Sequence, residues 1–551
     1  MRGSSYETLS RSAGEGGPGP KGRVGEGPPF SEAQPSPGSL CSPPSPAMRP
    51  AMRERGVLWK GVGVVAVFVS SCTVGPDYQR PDAPVPAQYK EAGWKVGEPA
   101  DAIDRGAWWS VYRDPLLDDL QKQIDISNQN LNAAAAAFEQ AEWIVAQARA
   151  AFFPTVDLNA SAQRSRTGGG SSSSTGAGRA GFTSSSFSTS TSASWVPDIW
   201  GKIRRTVEGD VASAQASAGD LASARLSAQG TLASDYLQLR VSDELKRLLD
   251  AAASYYAESL RITRNQYQSG TADQSAVSQA EAQLESTQSQ AIAVGVTRAQ
   301  LEHAIAVLIG KPPAEFSIPP TEMKIAVPVI PAEMPSALLE RRPDIAASER
   351  LMAASNAQIG VAVAAFYPNI TLTGDYGTSA LSLNRLLATT SRFWAFGSNL
   401  VQTVFDAGLR SAQVEQARAV FDQDIANYRQ TVLTAFQQVE DQLAALRILA
   451  QQAEVQDKAV AAAFEAARIL NNQYLAGTVA FTSVIVADQT ALANAETAVN
   501  IRQSRLVASA ALIQALGGGW DTTQLPSRER IEENAPLNFS PFPPAEQVRA
   551  Q

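Results

Sequence analysis

The chain has 551 residues, enough for three or four domains, with an apolar share of 44% and a low charged share of 18%. A net charge of −8 argues against the basic footprint of a nucleic-acid binder. One histidine, His303, and two cysteines, Cys41 and Cys72, are too few for a zinc site of His and Cys clusters or for a disulfide framework.

Residues 1–51 are rich in Gly, Pro and Ser, as in GEGGPGPKGRVGEGPP. Such a stretch buries too little apolar surface to offset its ordering entropy, so it is read as disorder or as a tail from an upstream start codon. Met52 is the expected start and Met48 the alternative. Residues 52–71 then read as a secretory leader: Arg53, Arg55 and Lys60, an apolar run from Val62 to Val69, and small residues before a cut. The run is too short to span a bilayer. Val69-Ser70-Ser71-Cys72 resembles a bacterial lipobox, which implies an acylated Cys72 as the mature N-terminus. An ordinary leader with a chance cysteine at the cut is the other reading. Thr73 in place of Asp implies the outer membrane within that class. Residues 72–115 are expected to be the anchor and an extended segment.

Beyond the leader no 18-residue stretch is continuously apolar, so any membrane span is expected to be β-barrel. The chain instead predicts long helices. No Gly or Pro occurs from Arg410 to Ala476, and apolar residues recur every three or four positions from Val414 through Phe421, Tyr428, Val432 and Val439 to Leu446. A second seam begins Val207, Val211, Ala214 and continues to about Tyr267. Each run would be about 100 Å long.

The sequence also repeats. Ala151-Phe152-Phe153-Pro154 recurs as Ala365-Phe366-Tyr367-Pro368, and Tyr267-Gln268-Ser269-Gly270-Thr271 as Tyr474-Leu475-Ala476-Gly477-Thr478. The near-constant offset predicts two copies of one unit, 116–320 and 321–525, followed by a tail, 526–551. Each copy should hold a strand pair, about 155–197 and 369–405. Val156, Leu158, Ala160 and Ala162 alternate with polar residues. Ile370, Leu372, Gly374 and Tyr376 share a face, as do Trp394, Phe396, Leu400 and Val404. Strands of this length with aromatics near their ends suit a membrane barrel. Four cannot close one, so several chains would have to share it.

Four motifs in order are similar to the TolC/OprM family of outer-membrane efflux channels, in its NodT-like lipoprotein branch. They are Cys72-Thr73-Val74-Gly75-Pro76-Asp77-Tyr78, Trp108-Trp109 with Asp114-Pro115-Leu116, Leu339-Glu340-Arg341-Arg342-Pro343-Asp344-Ile345, and Leu516-Gly517-Gly518-Gly519-Trp520. The resemblance implies a mainly α fold with membrane β: a homotrimer forming a 12-stranded barrel continued by a periplasmic α-helical coiled-coil tunnel. It implies the exit duct of a tripartite pump, with a periplasmic membrane-fusion adaptor, an inner-membrane RND transporter and outer-membrane lipid as partners. A duct for type I protein secretion and a non-pore coiled-coil surface lipoprotein are the alternatives. No enzyme, cofactor or metal is expected, since a channel breaks no bonds.

The resemblance also implies where docking and gating sit. Gly270, Thr271, Gly477 and Thr478 fall at the helix turns expected to meet the adaptor. The family's acidic aperture position is Val486 here, so Thr482, Val486 and Gln489 are the aperture candidates. Asp488 is either lumenal or a solvated outer charge. Arg341, Arg342, Pro343 and Asp344 are expected to be structural, bridging helix ends or protomers. His303, on an apolar helix, is expected to pack or lie at the surface.

Overall fold

The computed structural model describes residues 73–83, 85–86, 89–90, 107–168, 182–328, 330, 338–537 and 539. Cys72, the leader 52–71 and the extension 1–51 lie outside the described residues.

The repeat is visible in element lengths. The first copy runs α1 (Pro115–Ser127), α2 (Gln129–Ala150), β1 (Thr155–Thr167), β2 (Phe182–Trp195), α3 (Lys202–Gln268) and α4 (Gln274–Leu308). The second runs α5 (Leu338–Arg341), α6 (Pro343–Ala364), β3 (Asn369–Ala380), β4 (Arg392–Val401), α7 (Leu409–Leu475) and α8 (Phe481–Ala515). Helices α2 and α6 have 22 residues each, α3 and α7 have 67, and α4 and α8 have 35. Sixty-seven residues make a rod of about 100 Å.

Pro154 and Pro368 follow the turns that end α2 and α6, where a missing N–H and a fixed φ stop the helix. At the far end of each strand pair an Asp and an Arg start the long helix. Asp198 accepts from the backbone N–H groups of Ile203 and Arg204 and pairs with the Arg204 guanidinium at 3.1 Å. Asp406 accepts from Gly408 and Arg410 N–H and pairs with the Arg410 guanidinium at 2.6 Å. A carboxylate at a helix N-terminus satisfies orphan donors and complements the dipole.

The four strands form one antiparallel sheet in the order β1-β2-β3-β4. Its register puts Val156 opposite Ala193, Leu158 opposite Thr191, Thr191 opposite Tyr376, Tyr376 opposite Trp394, and Gly374 opposite Phe396. All the apolar sets that the strands carry separately therefore share one face. Val404 lies beyond β4 and is exposed. The opposite face carries Asp157, Asn159, Ser161, Gln163, Ser188, Ser190, Thr373, Asp375 and Asn399. Ser161 and Ser188 hydroxyls meet across it at 2.7 Å.

The main core lies where both copies of the helical unit meet. Trp108, Leu117, Leu120, Tyr236, Ile305, Ile345, Tyr428, Val432, Leu506 and Ile513 belong to it. A second cluster holds the lower ends of the hairpins together, from Leu249, Tyr256 and Leu260 to Phe481, Val484 and Leu492. Among the described residues helix α4 is, by length and composition, apolar enough to cross a membrane, although it holds no continuously apolar run of 18 residues. Its apolarity comes largely from Ala and Val in a wall helix that packs along α3. The tail contributes α9 (Arg528–Asn534), which packs on α2 and α3 through Ile531, a 2.7 Å bond from Asn534 to Glu142, and an Arg149–Glu532 pair. Phe539 then meets Phe153 edge-on at 5.4 Å, at the foot of the sheet.

Candidate functional site

Two segments are the candidates: the sheet and the turns that join α3 to α4 and α7 to α8. The tips are built alike. Ser269 caps the C-terminus of α3 and Ala476 that of α7, and Gly270 and Gly477 follow with φ of 74° and 73°. A Cβ at either glycine would meet open space, so glycine is required by backbone conformation rather than by room. Thr271 N–H donates to the Gln266 carbonyl at 2.9 Å and its hydroxyl to the same oxygen at 3.0 Å. Thr478 does the same to the Gln473 carbonyl, at 3.0 and 2.9 Å. Both threonines thus close an otherwise open carbonyl in the last turn of a long helix, a Schellman-type stop. All four residues are exposed.

The structure brings these turns to one end of the chain. The Tyr474 hydroxyl donates to Gln266 at 2.5 Å, and Arg264 of α3 pairs with Glu281 of α4 at 3.2 Å. Just above, Thr482, Val486 and Gln489 lie on one stripe of α8, spaced four and three residues apart, and all three are exposed. The Gln489 amide donates to Gln283 of α4 at 2.5 Å, tying the two hairpins. No carboxylate lies on the stripe at these positions.

Asp488 points elsewhere. It lies in a cavity of about 510 Å³ with Tyr255, Tyr256, Leu248, Phe464 and Arg468. Burial pushes its carboxyl up to about 6, and its charge in turn raises Tyr255 and Tyr256 beyond the effect of their own burial. It is neither part of the Thr482–Val486–Gln489 stripe nor a fully solvated outer charge.

The Arg-Arg-Pro-Asp motif is a splice between helices. Arg342 N-caps α6, with Pro343 as its first residue, so the proline here starts a helix as well as interrupting one. The Arg342 guanidinium takes Asp344 with two bonds of 3.0 and 2.6 Å, donates to Gln438 of α7 at 2.8 Å, and donates to the Ala515 carbonyl of α8 at 3.0 Å. The Arg341 carbonyl lies against Gly517, where any Cβ would collide. Gly518 packs beside Trp108. Three motifs far apart in sequence therefore meet at the middle of the chain. Sequence reasoning missed the polar chain beside them. Asp114 caps α1 and accepts from the Tyr236 hydroxyl at 2.7 Å; Arg240 donates to that hydroxyl and to Asp243, which also pairs with Arg298 at 2.7 Å. Its members are on three separate segments, the α1 cap, α3 and α4, and only the Asp-Pro pair before α1 was a local clue. His303 is exposed. Among the described residues no group of three or more His, Cys, Asp or Glu is placed to hold a metal ion.

The comparisons agree with this geometry. The family model described as "Outer membrane efflux protein" matches residues 120–311 and 334–518, more than half of the chain and one match for each copy. The toluene efflux pump outer membrane protein TtgC of Pseudomonas putida is 29% identical over 463 residues, covering 83% of this chain and 95% of its own. The cation efflux system protein CusC of Escherichia coli O6:H1 is 28% identical over 459 residues, covering 83% and 97%. The crystal structure of the Campylobacter jejuni CmeC outer membrane channel superposes with a TM-score of 0.75 at 25% identity, covering 85% of this chain and 99% of that one. This chain belongs to the outer membrane efflux protein family, and it is an outer-membrane transport duct, not an enzyme.

Proposed function

We propose that three copies of this chain form the exit duct of a tripartite efflux pump, conducting small molecules passively from a periplasmic adaptor and an inner-membrane RND transporter across the outer membrane. One observation carries the reading. A sheet that is largely apolar on one face and largely polar on the other, with too few strands to close, runs directly into two helices of about 100 Å. Open edges are not tolerated in hydrocarbon, so β1 and β4 must pair with other copies. Three copies supply twelve strands, with the polar face lining the lumen.

The Gly270-Thr271 and Gly477-Thr478 turns are the adaptor-docking tips in this reading. They present exposed, hydrogen-bonded turns at the end opposite the sheet. Thr482, Val486 and Gln489 form the aperture ring. With Val486 at its centre the ring offers no charged ligand to a cation and closes by excluding water. The names of the relatives span toluene and cations, and an uncharged ring leaves cargo selection to the partners.

Lipidation of Cys72 belongs to the same proposal. Val74 N–H donates to the Trp200 carbonyl at 3.3 Å, and Thr73 packs on Gly201, at the junction of β2 and α3. That puts Thr73 at the foot of the sheet, the membrane end of the tunnel in this reading. Gly75 continues the path with φ 99°, pressed on Gly360 so closely that no side chain fits.

The test is single-channel conductance of the purified protein together with its native mass. A trimer with small, infrequent openings is expected, and Val486→Asp should raise open probability by charge repulsion within the ring and admit water. A monomer without conductance would overturn the duct.

A further inference from the structure

The lipid-facing side of the sheet is not apolar to its top. On β1 the parity that carries Val156 and Leu158 continues to Arg164 and Arg166. On β4 the parity of Phe396 and Trp394 continues to Arg392, opposite Thr378. All three arginines are exposed, and none has an ion-pair partner among the described residues. Arg385, also exposed, lies in the loop between β3 and β4.

The sequence around them contains no counter-charge. From 158 to 197 and from 376 to 405 there is no Asp or Glu, in a chain whose net charge is −8. There is no Lys either, so every cation in both segments is arginine. Arginine presents a planar fork that matches phosphate with two parallel bonds, whereas lysine acts as a point charge.

Position along the strand adds to this. Arg164 and Arg392 each stand about 30 Å along the strand from its periplasmic end, at Thr155 and Val401. At a strand tilt of about 40° that is a rise of about 23 Å, nearly the full height of the apolar band, so they stand at its upper rim, directly beyond Trp394 and Tyr376, where an aromatic girdle gives way to headgroups. β1 and β4 are the two open edges of the sheet, so closing the barrel brings β1 of one copy beside β4 of the next.

We propose that each of the three seams between copies carries a phosphate-binding cluster, Arg164 and Arg166 from one copy and Arg392 from the next, whose ligand is a phosphorylated glycolipid of the outer leaflet. The acyl chains lie on the apolar face below and the phosphates on the arginine forks above. The ligand bridges two copies and so ties the barrel at its seam. The cluster faces lipid, not lumen, and selects no cargo. The inference rests on the shared trimeric barrel, and a native mass other than a trimer would report failure of that reading separately.

The experiment is native mass spectrometry of the detergent-purified full chain, titrated with bis-phosphorylated lipid A, with the same lipid after dephosphorylation, and with inorganic phosphate. The wild-type trimer should bind up to three bis-phosphorylated molecules, about tenfold more tightly than the dephosphorylated lipid. The triple variant Arg164→Gln, Arg166→Gln, Arg392→Gln should remain a trimer and lose that preference. Arg392→Lys should lose part of it, and Arg418→Gln, an exposed cation on α7, none. Equal binding of both lipids by the wild type, or a preference that survives the triple variant, would overturn the proposal. So would displacement of the lipid by millimolar phosphate, which would mark a plain anion site.

Discussion

Helices α3 and α7 have the same length, the same capping device and the same terminal turn, yet α3 buries 23 of its 67 residues and α7 only eight. Helix α3 is surrounded within the chain by α2, α4, α6 and α8, whereas α7 packs chiefly on α6 and α8, with only the N-terminal segment around Arg80 and Tyr89 laid against its Tyr428 and Phe436. Ile448, Val455 and Ile469 of α7 stay exposed on one stripe, seven and fourteen residues apart. The same repeat therefore yields a central wall helix in one copy and an edge helix in the other. The edge helix is finished only by a neighbouring chain.

The largest effect should come from that edge. Ile448→Glu with Val455→Glu should convert trimer to monomer in native mass spectrometry while helical content is retained, because two charges cannot be buried between helices. A trimer that survives both would place the α7 flank in solvent and remove the contrast.

The next test compares the two helix splices. In the first copy Asn128 caps α2 by accepting from Leu131 N–H and donates to the Leu308 carbonyl at 2.7 Å. Arg342 does the equivalent job in the second copy with a nearly buried charge. Arg342→Ala should cost about 3 kcal/mol, since it strands Asp344 and the Ala515 carbonyl. Asn128→Ala should cost about 1 kcal/mol. Urea midpoints compare the two, and equal losses would show that the charge adds nothing to the splice.

At the tips the copies should behave alike. Gly270→Ala and Gly477→Ala should each cost about 1 kcal/mol, from forcing a side chain to positive φ. Thermal melts that separate the two by much more would reveal a difference between turns that look the same.

The smallest effect concerns Asp488, whose counterpart in the first copy is Glu281, exposed and paired with Arg264. Burial raises Asp488 from 3.8 to about 6, so the folded chain holds its proton more tightly than the unfolded one. Its penalty is absent below pH 3.8, grows as pH rises to about 6, and is complete above that. Asp488→Asn should therefore stabilise the protein at pH 7 by roughly 1 kcal/mol and flatten the decline between pH 4 and 6. Glu281→Gln should not. A variant no more stable than wild type at pH 7 would mean that water reaches Asp488 freely.

Much of this was legible locally. The α7 seam reads from its three- and four-residue steps, because a helix must present one apolar stripe to be buried. Gly270 and Gly477 read as turns because few other residues adopt their φ. The strand faces read from alternation. Their union into a single apolar face did not, since register belongs to pairs of strands. Asp488 could not be assigned either, because its neighbours Tyr255 and Phe464 come from other helices. The role of Arg342 was legible as structural, while its partners Gln438 and Ala515 lie 96 and 173 residues away.

By itself the sequence determined the duplication, the helix lengths, the turns and the two-faced strands, all of which follow from periodicities within a few residues. Tertiary structure alone decided which copy became the interior of the chain and which its edge, where the buried charges found partners, and which way Asp488 and the Thr482–Val486–Gln489 stripe face. Those depend on contacts between residues far apart in the chain, and no local pattern encodes them.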